Sequence, residues 1–107
     1  MKLSDRHAKD INKKSPPLSK TKIHEYDAQL NENWGIVGGK KIKRTFTFEN
    51  FMSGVAFVNK VADIAEAENH HPDIYLFFKK VEIEFSTHAI GGLSENDFIL
   101  AVKIDRI

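Results

Sequence analysis

The sequence predicts an α+β domain with the element order α-β-β-α-β-β-α. Three observations carry this prediction. One amphipathic stretch keeps helical spacing for about 18 residues, two pairs of β-type runs flank it, and a capping motif opens a further apolar segment near residue 94. Residues 1–18 are polar and close on Ser15-Pro16-Pro17, so they are expected to form a flexible tail, disordered or loosely docked, ahead of a single domain at 19–107. Thr21 to Asn31 reads as a short helix with Ile23, Tyr26, Ala28 and Leu30 as its apolar positions. Trp34-Gly-Ile-Val37 and Ile42 to Phe48 flank Gly38-Gly39, which is a hairpin signal. Phe51, Val55, Val58, Ala62 and Ala65 then recur at spacings of three and four, the pattern of an amphipathic helix. Ile74 to Phe78 is a short aromatic-rich strand. Val81, Ile83 and Phe85 alternate with Glu82, Glu84 and Ser86, as in a half-buried strand. Ser94 to Ile107 reads as the last helix, with Phe98, Ala101, Val102 and Ile104 turned inward.

Composition narrows the function. The chain has 107 residues, enough for one core. Sixteen basic residues face 15 acidic ones, a net charge of +1, so neither a nucleic-acid nor a membrane partner is called for. The absence of cysteine excludes a disulfide framework, a thiolate nucleophile and a Cys-based zinc site. No apolar run approaches the ~20 residues of a membrane span, and residues 1–17 lack the apolar segment of a secretory signal. A reducing compartment fits this composition.

The stretch Glu68-Asn-His-His-Pro-Asp73 holds the chemistry. Pro72 disfavours helix in the residue before it, so His70 and His71 sit at a helix end and leave the backbone in different directions. The terminal carbonyls of that helix favour a cation nearby. Glu66 is one turn before His70 and is expected to hydrogen-bond it. If Lys79-Lys80 is a two-residue turn, Ile74 pairs with Phe85 and the register carries His88 back level with His71. Ser94-Glu-Asn-Asp97 fits a capping box, and the same carboxylate could orient a histidine. His7 and His24 match no pattern and read as surface residues.

Four motifs in this order resemble the pterin-4a-carbinolamine dehydratases, also known as dimerisation cofactors of a homeodomain transcription factor. They are Arg44-x-Phe46-x-Phe48-x-x-Phe51, Glu66-x-x-x-His70-His71-Pro72, Ser86-Thr87-His88 and Gly92-Leu93-Ser94-x-x-Asp97. The resemblance runs from about Trp34 to the end, roughly two-thirds of the chain. It implies a four-stranded antiparallel sheet with helices packed on one face. The implied reaction is loss of water from a 4a-hydroxytetrahydropterin to give the quinonoid dihydropterin, as in tetrahydrobiopterin recycling, with no metal or redox cofactor. It further implies His70, His71 and His88 lining the pterin site, with His71 and His88 in proton transfer. Glu66 and Asp97 would orient them, and Ser86 and Thr87 would contact the pterin. Homodimers or homotetramers, a protein partner for some members, and a cytoplasmic or also nuclear location belong to the same expectation.

Two other readings remain beside it. Three histidines with an open position could hold a metal, as in some zinc hydrolases, but no HExxH-type motif supports them. Alternatively the chain is a non-enzymatic interaction module that docks a partner on the long helix at residues 50–69.

Overall fold

The long helical stripe does fold as a helix, at Phe51–Glu68 (α2). The computed structural model describes residues 2–107. Asn50 caps α2, its side chain accepting the Ser53 N–H at 2.9 Å. Asn69 closes it in the left-handed conformation, φ 51°, which a short polar side chain tolerates. The helix therefore ends two residues ahead of the position Pro72 required. Its buried face is Gly54, Phe57, Val61 and Ala65. That face is rotated from the 51-55-58-62-65 stripe: Phe51 and Ala62 are exposed, and Val55 and Val58 are half-buried. Ala65 belongs to both sets and Val58 packs against the core, so the expected stripe is partly inward and leaves Phe51 and Ala62 outward.

The remaining elements are α1 (Lys20–Asp27), β1 (Gly35–Val37), β2 (Lys41–Thr47), β3 (Asp73–Leu76), β4 (Lys80–Phe85) and α3 (Glu95–Ile104). The four strands form one antiparallel sheet in the order β1-β2-β4-β3. Gly38 and Gly39, both at positive φ, turn β1 into β2. Alternation sorts the two faces. Ile42, Val81, Ile83 and Phe85 are fully buried under the helices. Lys41, Lys43, Glu82 and Glu84 lie on the open face, where Lys41 meets Glu84 at 2.9 Å and Lys43 meets Glu82 at 3.7 Å. Burial of each large apolar side chain contributes about 1.5–3 kcal/mol, so the inward positions of β2 and β4 fix which face the helices cover.

The β3–β4 turn differs from the expected Lys79-Lys80. Phe77 donates its N–H to the Lys80 carbonyl at 2.8 Å, leaving Phe78-Lys79 as the two-residue loop. Lys80 belongs to β4, where it pairs with Thr47 of β2. Ile74 consequently pairs with Ile83 rather than Phe85. The slip is two residues, so every side chain keeps its face, but His88 is no longer level with His71 in the ladder.

Asp105, just after α3, ties three segments together. Its Oδ1 accepts from Trp34 Nε1 and from Arg44 Nη1, each at 2.7 Å, and its Oδ2 accepts the Asn31 N–H at 3.0 Å. Arg44 also lies over the Phe46 ring at 4.3 Å.

Within residues 2–18, Leu3 to Lys9 are docked on the domain, while the hydrogen bonds of Asn12, Lys14 and Ser15 are local. Leu3 is fully buried in the core, and its N–H donates to Gln29 at 2.9 Å. Beyond a 3₁₀ turn at Leu3–Asp5, residues 6–9 run as a strap across the end of α2 and the start of α3. Polar composition concealed this docking because most of its bonds are made by backbone groups. On Glu68, burial pushes the carboxyl up, but the hydrogen bonds from His7 and the Ala8 N–H, with the charge of Lys103, outweigh it and hold it below its ordinary value.

Two outcomes are expected. Asp105→Ala leaves the Arg44 guanidinium, only 16% exposed, without its carboxylate and should cost about 3 kcal/mol in urea denaturation. Because the Glu68 carboxyl is depressed in the folded state, its contribution is complete above the unfolded value, near 4.5, and is lost as pH falls through the folded one. Wild type should therefore lose more stability than Glu68→Gln between neutral and strongly acidic pH; equal losses would contradict the assignment.

Candidate active site

The left-handed turn at Asn69 decides where the two histidines go. It breaks the helical face on which Glu66 and His70 would have met, and sends the His70 ring inward. That ring stacks on Phe85, with centroids 6.0 Å apart and planes 10° apart. Its Nε2 lies 2.7 Å from Asp97 Oδ1. Only 13% of the His70 side chain is exposed, and Asp97 is fully buried. Glu66 bonds His71 instead, Oε2 to Nε2 at 2.5 Å, with both side chains more than half exposed. An ion pair this exposed adds little stability, so its effect is to orient the His71 ring.

Asp97 is the hub. It opens α3 by accepting the Ser94 N–H at 2.9 Å, as its capping motif predicts. The same Oδ2 accepts the Thr87 hydroxyl at 2.8 Å. Thr87 in turn receives the Ser94 hydroxyl at 2.6 Å. A buried carboxylate needs donors on both oxygens, and Asp97 has three. With Asp97 as the carboxylate, Nε2 of His70 is the protonated nitrogen, which fixes the tautomer.

Beyond β4, Thr87 forms a bridge with Gly92, its N–H reaching the Gly92 carbonyl at 2.7 Å. That bridge closes a small loop holding a 3₁₀ turn at His88–Ile90, with Gly91 at φ 61°. His88 is exposed on this turn, and no hydrogen bond joins its ring to another described residue. Ser86 is half-buried. Thr87 is 6% exposed with its hydroxyl engaged on both sides. It holds the Asp97 framework rather than presenting a free group.

The expected residues thus fall into two layers. Half-buried His70 and buried Thr87 and Asp97 form a hydrogen-bonded base. His71 and His88 are the chain neighbours of His70 and Thr87, the two residues that grip Asp97, and both are exposed at that base. Glu66 backs His71. Asp97, not the strand register, ties together the two segments that carry these histidines. Phe85, Asn69 and Ser94 also shape the site. Asn ahead of a histidine pair at a helix end is a left-handed cap signal that would have located the turn. Among the described residues, no group of three or more His, Asp or Glu side chains is placed to hold a metal ion. No helix is long and apolar enough to cross a membrane. A groove of about 450 Å³ lined by Arg44, Phe46, Phe57 and Asp105 lies at the far end of α3 and includes none of these histidines.

Comparison with known proteins adds an independent line. The family model described as pterin 4 alpha carbinolamine dehydratase matches residues 16–107. A protein of Nitrosospira multiformis named "Putative pterin-4-alpha-carbinolamine dehydratase" is 46% identical over 105 residues, covering 98% of this chain and 91% of its own. A protein of the same name from Nitrosomonas eutropha is 43% identical over 105 residues, covering 98% and 92%. The crystal structure of a transcriptional coactivator/pterin dehydratase from Brucella melitensis superposes with a TM-score of 0.78 at 28% identity, over 85% of this chain and 97% of that one. A pterin dehydratase-like protein identified as a RuBisCO assembly factor in the alpha-carboxysome shares the fold alone, with a TM-score of 0.61 at 22% identity over 71% of this chain and 89% of that one. By its sequence over residues 16–107 and by its fold, the chain belongs to the pterin 4 alpha carbinolamine dehydratase family.

Proposed function

We propose that the protein dehydrates a 4a-hydroxytetrahydropterin to the quinonoid dihydropterin. The observation that carries this reading is the pair of exposed histidines, His71 and His88, adjoining the hydrogen-bonded His70–Asp97–Thr87 base. In the reaction the C4a–O bond breaks, and the hydroxyl leaves as water with a proton from a general acid. A ring N–H gives its proton to a base or to solvent, and a C=N bond forms. Groups that titrate near neutrality serve both transfers best. His71, oriented by Glu66, and His88 are the proton-transfer groups. His70 is held by Asp97 and stacked on Phe85, so it forms a fixed edge of the pterin site. Ser86 borders the same edge, and Thr87 acts through Asp97. All the groups in this scheme are side chains of the chain itself, and it uses no metal or redox cofactor. Family membership supports a place in tetrahydrobiopterin recycling, in the cytoplasm or also the nucleus, where aromatic amino acid hydroxylases are present to form the substrate.

A second reading has its own observation. Phe51 and Met52 of α2 are 42% and 67% exposed, beside half-buried Val55 and Val58. Apolar side chains on an outward helical stripe fit self-association into a dimer or tetramer, or docking of a protein partner. This can coexist with catalysis.

Dehydration of freshly generated 4a-hydroxytetrahydropterin, followed by absorbance, tests the first reading. His71→Ala and His88→Ala should each lose ~10²–10⁴-fold in rate while remaining folded; a wild-type protein that does not accelerate the reaction removes the enzyme reading and leaves the interaction module. For the second, Val55→Asp should lower the mass measured by light scattering. An unchanged oligomeric mass would remove the α2 stripe as the interface.

A further inference from the structure

The strap at residues 6–9 is held by the chain neighbours of the pair at the centre of the site. Glu68 is the last residue of α2, two before His70. Glu95 and Asn96 open α3, immediately before Asp97. Glu68 Oε1 accepts the Ala8 N–H at 2.8 Å, and its Oε2 meets His7 Nδ1 at 2.9 Å. Asn96 takes both backbone groups of Lys9: its Oδ1 accepts the N–H at 3.1 Å, and its Nδ2 donates to the carbonyl at 2.6 Å. Arg6 reaches Glu95 at 2.6 Å. Ala8 and Lys9 are consecutive, so a single peptide link bridges the two helix ends. Both anchors are shielded: the Glu68 side chain is 8% exposed and Asn96 3%. Upstream, buried Leu3 pins the strap to the core.

The spacing of those helix ends matters to the site. His70 is carried on irregular backbone beyond the left-handed Asn69, and its bond to Asp97 is 2.7 Å long. A shift of about 1 Å would carry that bond outside hydrogen-bonding range.

We propose that residues 6–9 act as a clamp that sets the distance between the end of α2 and the start of α3, making Glu68 and Asn96 positioning residues for the His70–Asp97 hydrogen bond. The activity consequence rests on the dehydratase reading above; the geometric one does not. His7, which matched no motif, is part of the clamp.

The test uses the full chain with Glu68→Ala, Asn96→Ala and the conservative Glu68→Gln, whose amide oxygen can still accept the Ala8 N–H. Two quantities are measured: kinetics of 4a-hydroxytetrahydropterin dehydration, and the imidazole ¹⁵N signals of His70 without substrate. Each alanine variant should lose about 10-fold in kcat, the scale of a small misplacement of a catalytic group. KM should stay near wild type, the His70 signals should move, and Glu68→Gln should restore both readouts. Asn96→Ala supplies the result if Glu68→Ala folds poorly. In an active enzyme, unchanged kcat in the folded alanine variants overturns the clamp. If wild type proves inactive, the dehydratase reading fails and the ¹⁵N signals alone decide: moved signals support the clamp and unmoved signals overturn it.

Discussion

The buried carboxylate of Asp97 is the constraint on which the site depends. It lies in a fully buried position where an uncompensated charge would be prohibitive. Its three donors come from three different segments: the cap of α3, the loop after β4 and the turn after α2. Satisfying one charge therefore fixes three backbone segments relative to one another. The candidate side chains follow from that, since His71 and His88 are chain neighbours of two of the three donors. A capping box that sequence patterning treats as a local helix signal is here also the tertiary knot of the molecule.

Much of the fold was legible in the sequence because period and face are short-range properties. The order of elements, the antiparallel hairpins and the inward set of β4 all come from alternation and helical spacing. What was not legible depended on backbone conformations or on competition between partners. The left-handed Asn69 moved Glu66 from His70 to His71. Lys80 went to β4 because Thr47 offered a ladder partner, and the turn moved back onto Phe78-Lys79. Residues 3–9 looked like part of a solvated tail because their ties, main-chain bonds to Glu68 and Asn96 beside the side-chain bonds of Arg6 and His7, depend on partners 60 or more positions away, which composition cannot register. Of the seven candidate site residues named from sequence, His70, Thr87 and Asp97 are joined by hydrogen bonds and Glu66 meets His71, ties made through Asp97 and the Asn69 turn rather than through strand register.

The two faces of α2 show how one helix can serve two purposes. Gly54, Phe57, Val61 and Ala65 are spent on the sheet. The 51-55-58-62 stripe is only partly covered, with the small side chain of Ala62 and the large ones of Phe51 and Met52 outward. Periodicity alone selected a stripe that is only partly inward because both sets satisfy the same spacing. The outward stripe leaves large apolar side chains uncovered on the helix that also carries His70 and His71 beyond its end.

The ties that make the site join residues far apart along the chain: 27 positions between His70 and Asp97, 61 between His7 and Glu68, 87 between Lys9 and Asn96. Closing such long loops carries an entropic cost that only the completed tertiary structure offsets. The hydrogen bonds around Asp97 therefore form only when α2, the loop after β4 and α3 are all in place, so the arrangement belongs to the completed tertiary structure.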